Sequence, residues 1–173
     1  MRAHKSAVFA LVALALGALP AAAQDATPVE VTPYVAVGSA GSSPVGAAVT
    51  FPVTSTLGVE TDVAYRRGEG RIHALSSSTS LLYFLPRVGQ SMPYLTAGVG
   101  LSQYGAPVFS SNGRPIGTEQ RVAMTVNAGG GLKMPMNEKL DLRTDARWFK
   151  SFGRYGSEQF RVAQGISFDV GTR

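Results

Sequence analysis

From Arg121 to Asp169, apolar and polar side chains alternate with period two in three successive segments. Val122, Met124, Val126, Ala128, Leu132 and Met134 share one face of the first, and Arg121, Thr125, Asn127, Gly129, Gly131 and Lys133 share the other. In the second, Leu140, Leu142, Ala146 and Trp148 alternate with Lys139, Asp141, Arg143, Asp145 and Arg147. The third sets Phe160, Val162, Ile166, Phe168 and Val170 against Arg161, Ser167 and Asp169. Successive side chains of a strand point to opposite faces, so each segment predicts a strand with one greasy face and one charged or small face. The pattern continues upstream. Leu95, Ala97, Val99 and Leu101 oppose Thr96, Gly98, Gly100, Ser102 and Tyr104, and Leu57, Val59, Val63 and Tyr65 oppose Glu60, Asp62 and Arg66.

Eight strands are predicted, at 29–38, 44–52, 56–67, 71–85, 93–104, 119–134, 138–151 and 158–170. The run Ser76 to Ser80 puts hydroxyls on both faces of the fourth and leaves its register open. Breaks carrying Pro, Gly or Asn separate the strands. Those at 52–56, 86–91 and 135–138 are expected to be short turns on one side, and those at 38–43, 67–70, 105–118 and 153–157 longer loops on the other. This asymmetry predicts an all-β fold: an eight-stranded antiparallel up-and-down transmembrane β-barrel with short periplasmic turns and longer extracellular loops. Val126 and Leu142 are expected to face hydrocarbon near the middle of the bilayer.

Arg2, His4 and Lys5 precede an apolar run from Ala7 to Leu19, followed by Pro20 and Ala21-Ala22-Ala23. The run is too short to span a bilayer as a helix, and its flanks are those of an export signal. Residues 1–23 are therefore expected to be a signal peptide, and 24–173 a single barrel domain in the outer membrane of a Gram-negative-type cell. Without Arg2 and Lys5 the chain carries about 14 bases against 11 acids, too mild a surplus to argue for a nucleic-acid partner. It has no cysteine, which excludes thiol catalysis and Cys-based metal sites.

On this register Phe51, Tyr83 and Phe168 fall near the short-turn ends of their strands, and Tyr65, Trp148 and Phe160 near the other ends. Two belts of outward aromatics suit the two interfaces of a membrane. The stretches YLTAGVGLSQY (94–104), VNAGGGLK (126–133), LDLRTDARWF (140–149) and FRVAQGISFDV (160–170) resemble those of the small eight-stranded bacterial outer-membrane barrels, the OmpX-like and OmpA N-terminal-like domains. The resemblance implies a monomer that contacts outer-membrane lipid and the barrel assembly machinery. Such barrels commonly end in an aromatic residue read by that machinery; here Phe168 is expected to take that place. The roles implied are envelope integrity, adhesion or a narrow, porin-like pore.

The most concentrated chemistry is the set of inward charges: Glu60, Asp62, Arg66, Arg121, Lys133, Asp141, Arg143, Asp145, Arg147, Arg161 and Asp169. In a narrow lumen they are expected to pair with one another, since an unpaired charge there is costly. His73 is the only histidine after residue 23, so no multi-histidine metal site is expected. The eight-stranded lipid A deacylases carry a His-x-Ser pair on one strand face, whereas His73-Ala74-Leu75-Ser76 puts the two residues on opposite faces. Asp141 and Asp145 stand about 13 Å apart along one strand, too far for a pair of glycosidase carboxyls. Gly129-Gly130-Gly131 lacks a following helix, so these glycines are expected to make room for Arg143 or Arg147 from across the lumen. The segment 105–118 is the expected contact surface for an extracellular partner.

No catalytic residue, cofactor or metal is expected. One alternative is a soluble periplasmic barrel with an apolar ligand inside, which would reverse the two faces of residues 141–147. The other is a lipid-modifying enzyme.

Overall fold

A computed structural model of the chain describes residues 28–39, 43–67, 73–153 and 156–170. The expected signal peptide, residues 1–23, lies outside them. Eight strands follow in order: β1 (Val29–Gly38), β2 (Val45–Pro52), β3 (Leu57–Arg67), β4 (His73–Phe84), β5 (Met92–Phe109), β6 (Pro115–Pro135), β7 (Leu140–Ser151) and β8 (Glu158–Val170). Each pairs antiparallel with its sequence neighbours, and β1 pairs with β8, closing the barrel. The expected fold class is borne out.

The closure has a measurable slant. From Lys150 the register runs through Val126, Val99, Thr79, Thr61, Val49, Val31 and Phe168, and returns to β7 at Leu140. One circuit thus displaces the ladder by ten residues. With a rise of about 3.3 Å per residue and strands about 4.8 Å apart, eight strands are tilted by about 40°. The row descends by roughly 3 Å per strand at that tilt. Val126, next to Lys150 in the row, therefore stands near the loop end, and Leu142, two residues above Leu140, near the turn end. Neither lies at mid-height, as expected from each strand alone; the slant of the ladder moves them. Outward residues at mid-height include Ala47, Thr61 and Ala97.

The strand ends agree with expectation to within about two residues, except around β5 and β6. Residues 105–118, expected as a long loop, are mostly paired strand, and only 110–114 turn between Phe109 and Pro115. Ser110 N donates to Arg114 O (2.8 Å), Gly113 N donates to Ser110 O (2.9 Å), and Gly113 takes φ 74°, which glycine alone adopts at no steric cost. Pro107 and Pro115 suggested a break, but both sit where the strand has a free edge. β4 leaves β5 at Gly105, and β7 leaves β6 at Thr125, so no ladder bond is lost to proline there. The β5–β6 hairpin consequently rises above its neighbours. The loop end is lengthened by strand, and the longest connection, 85–91, lies at the turn end.

The other connections are tight. Thr54 Oγ1 accepts from the amides of Thr56 and Leu57, and Asn137 Oδ1 from those of Lys139 and Leu140, locking the turns at 53–56 and 136–139. Lys139, expected on the charged face of β7, belongs to the second of these turns and is exposed. The register of β4, left open by its serine run, puts Ser76, Ser78 and Ser80 inward and Ser77 and Thr79 outward.

Candidate functional site: the barrel interior and its mouth

The inward faces stack into layers. At the turn end Lys133 pairs with Glu30 and with Asp141 (3.3 Å), beside an apolar plug of Leu82, Phe84, Tyr94 and Met92. Above it, Glu60 pairs with Arg143 and with Arg147 (2.6 Å), and both guanidinium groups reach Asp145 Oδ2, at 3.3 and 3.0 Å. Thr50 Oγ1 donates to Glu60 (3.0 Å), and Arg143 lies over the ring of Tyr94, 4.8 Å from its centroid, while donating to its hydroxyl. Glu60 and Thr50 are fully buried and Arg147 is 1% exposed, so the barrel is filled at this level.

The next layer belongs to Arg161. Its Nη1 donates to Tyr34 OH (2.9 Å) and to Asp62 Oδ1 (3.3 Å), and its guanidinium lies 4.9 Å and 4.8 Å from the Tyr34 and Phe149 ring centroids. Tyr34 OH donates to the other oxygen of Asp62. Tyr34 is flanked in the ladder by Gly46 on β2 and Gly165 on β8. A Cβ at Gly46 would meet Tyr34 OH at 2.5 Å, so glycine is what lets the ring lie across the strand.

The mouth at the loop end is a cavity of about 50 Å³. Arg66 Nη1 donates to Gln159 Oε1 (3.2 Å), and Tyr104 OH and Ser151 Oγ are 3.2 Å apart.

All eleven expected lumen charges lie on the inward faces of their strands, and the structure brings most of them into the clusters above. Asp169 is half-buried and stands opposite Glu30 in the ladder. Arg121 departs from expectation. It keeps the inward face of β6, opposite Tyr104, but β7 has already ended there. It stands above the rim, paired with Glu119 at 2.7 Å and 43% exposed. The Arg121 hydrogen bond holds the Glu119 carboxyl below its ordinary range. The room left by glycines is filled by adjacent strands, rather than from across the lumen. A Cβ at Gly129 would meet the Arg147 Cγ at 3.0 Å, and one at Gly131 would collide with Tyr94 OH.

Of the six aromatics, Tyr65, Tyr83, Trp148, Phe160 and Phe168 are exposed on the barrel wall and Phe51 is half-buried. Trp148 and Phe160 are directly paired. The wall is mostly apolar, with Thr61, Ser77, Thr79, Thr144 and Gln164 among its polar members at mid-strand. The charges of residues 141–147 lie inside. This is the reverse of a soluble barrel built around an apolar ligand. His73 is exposed on the outer face, and Ser76 Oγ, on the inner face, donates to Ala64 O (3.4 Å). Among the described residues, no group of three or more ligating side chains could hold a metal.

Sequence reasoning missed Glu30, Thr50, Tyr34 and Tyr94, although all four lie on inward faces. The available signal was the pairing of a large inward aromatic with glycines at ladder positions, which becomes visible only once the registers are known.

No family model matches the chain, and no curated protein does. The likeness to solved structures is one of fold. Neisserial surface protein A superposes with a TM-score of 0.63 at 12% identity, over 82% of this chain and 94% of that one. The N-terminal β-barrel domain of Pseudomonas aeruginosa OprF gives 0.55 at 20% identity, over 81% and 96%. The chain has the fold of the small eight-stranded outer-membrane barrels. The outer-membrane enzyme PagL gives 0.51 at 16% identity, over 82% and 99%, so the same fold also serves an enzyme.

Proposed function

We propose that this chain is a non-enzymatic outer-membrane barrel, closed to solutes, that anchors a rigid hairpin on the cell surface for contact with an extracellular partner. The observation that carries the reading is the β5–β6 ladder, which continues past Gly105 and Thr125 to a five-residue tip at 110–114. A paired hairpin on a fixed barrel presents residues at little entropic cost on binding. Ile116, Val122 and Met124 are each about two-thirds exposed along it.

Several observations support the membrane part. The wall is apolar, aromatics mark two levels, and the strand edges are closed up to the rim, as hydrocarbon demands. In this reading the turns at 53–56, 85–91 and 136–139 face the periplasm, residues 1–23 direct export, Phe168 is the aromatic offered to the assembly machinery, and the barrel is a monomer. The non-enzymatic reading rests on the separation of His73 and Ser76 to opposite faces.

The test compares the parent with a variant in which residues 109–116 are replaced by Asn-Gly, a two-residue turn that joins the ladder partners Val108 and Gly117 in a shorter hairpin. Both should insert and show the same heat-modifiable gel mobility. A cysteine placed at Asn112 should react with an impermeant maleimide on intact cells, and only the parent should make cells adhere to one another or to a surface. Equal adhesion of the two, or no labelling at 112, would overturn the reading.

A further inference from the structure

The inward charges are distributed unevenly along the barrel axis. At the turn end three acids, Glu30, Asp141 and Asp169, face one base, Lys133. The middle layer is balanced, with Arg143 and Arg147 against Glu60 and Asp145. At the mouth the order reverses, and among the described residues Arg66 and Arg161 face one acid, Asp62.

Arg161 is committed to Asp62, Tyr34 and Phe149, yet it is 6% exposed and its Nε is buried without an acceptor. Arg66 is half-buried on the same cavity, and among the described residues its one partner is the neutral side chain of Gln159. A guanidinium drawn out of bulk water without a carboxylate is a standing cost that an anion would offset. The rest of the lining supplies hydroxyls, among them Tyr104 and Ser151. The volume of about 50 Å³ holds roughly three waters, or one tetrahedral or planar oxyanion in their place. Seven of the eight strands, all but β2, line this cavity, with Pro44 beside them just before β2, which fixes its donors on the rigid part of the molecule.

We propose that the mouth cavity binds one phosphate-like oxyanion, gripped by Arg66 and supported by Arg161 and the Tyr104–Ser151 hydroxyls. The planar fork of Arg66 suits two oxygens of such a group. The group is presented either as the free ion or as a monoester on a saccharide. The site does not depend on the hairpin or on which membrane face it meets.

The test uses the full barrel refolded in dodecyl maltoside, a detergent without phosphate. Inorganic phosphate, glucose 6-phosphate and glucose are titrated by calorimetry into the parent, R66Q and K150Q. Lys150 is an exposed cation paired with Glu158 on the outer wall, and its replacement removes the same charge elsewhere. The parent should bind phosphate or glucose 6-phosphate but not glucose; R66Q should bind at least tenfold more weakly, and K150Q like the parent. Equal binding of both phosphates assigns the free ion, and binding of the ester alone assigns the saccharide-borne group. If R66Q does not refold, R66K, which keeps the charge but loses the fork, should bind more weakly than the parent. Binding of neither phosphate, binding of glucose as well as its phosphate, or equal binding by the parent and the Arg66 variants would overturn the proposal.

Discussion

Arg147 Nη2 lies 2.6 Å from Glu60 Oε1, although the two residues are 87 positions apart and their strands, β7 and β3, are not neighbours in the sheet. The contact spans the lumen. Arg143 joins the same carboxylate, and Asp145 accepts from both guanidinium groups, giving a ring of two positive and two negative charges. The attraction within such a ring is largely offset by the loss of hydration of its members, but removing one member leaves the others buried and unbalanced.

Arg143→Leu should therefore lower the unfolding free energy of the barrel by about 3–5 kcal/mol. Urea unfolding in liposomes reads this as a lower midpoint at unchanged slope. A midpoint equal to that of the parent would remove the ring from the stability of the fold.

The slant of the ladder makes the cost of a wall charge depend on depth in a way that sequence position does not show. Ala97→Arg, at mid-height, should cost about 2–4 kcal/mol in lipid, and Val126→Arg, near the loop-end rim, about 0–1 kcal/mol. Comparable losses at the two sites, measured by the same unfolding assay, would contradict the tilt.

Gly46→Ala puts a methyl group against Tyr34 OH and the carbonyl of Val63, each 2.5 Å from the new Cβ. The expected loss is about 1–3 kcal/mol, the range for overpacking. Arg161 and Asp62 lean on the same ring, so the barrel should also become heat-modifiable at a lower temperature. Stability unaltered by the substitution would show that Tyr34 has room to move.

Because Glu60, Thr50 and Arg147 seal the middle layer, the barrel should give no steady conductance steps in a planar bilayer at ordinary salt. Reproducible steps from folded monomer would require a water path that the packed interior lacks.

Much of this could be read along the chain, because a strand carries its two faces in its own alternation. Leu142 and Trp148 against Arg143 and Arg147 needed no partner to be assigned to wall and lumen. The eight elements, the closed barrel and the aromatics at two levels followed from the same local rule. The extent of β5 and β6 did not, because Pro107 and Pro115 signal a break in a paired strand but are tolerated on a free edge. Which edges are free depends on where β4 and β7 stop.

The partners inside the barrel lie one step further from the sequence. A slip of one residue between strands would turn the charged faces outward, so the pattern forbids it, but a slip of two keeps every face and changes every contact. By itself the sequence thus determined which side chains point inward. Only the closed ladder, with eight registers and a displacement of ten residues per circuit, decided that Arg147 meets Glu60, that Arg161 meets Asp62 and Tyr34, that Arg121 stands above the rim, and that Arg66 is left at the mouth with a neutral partner.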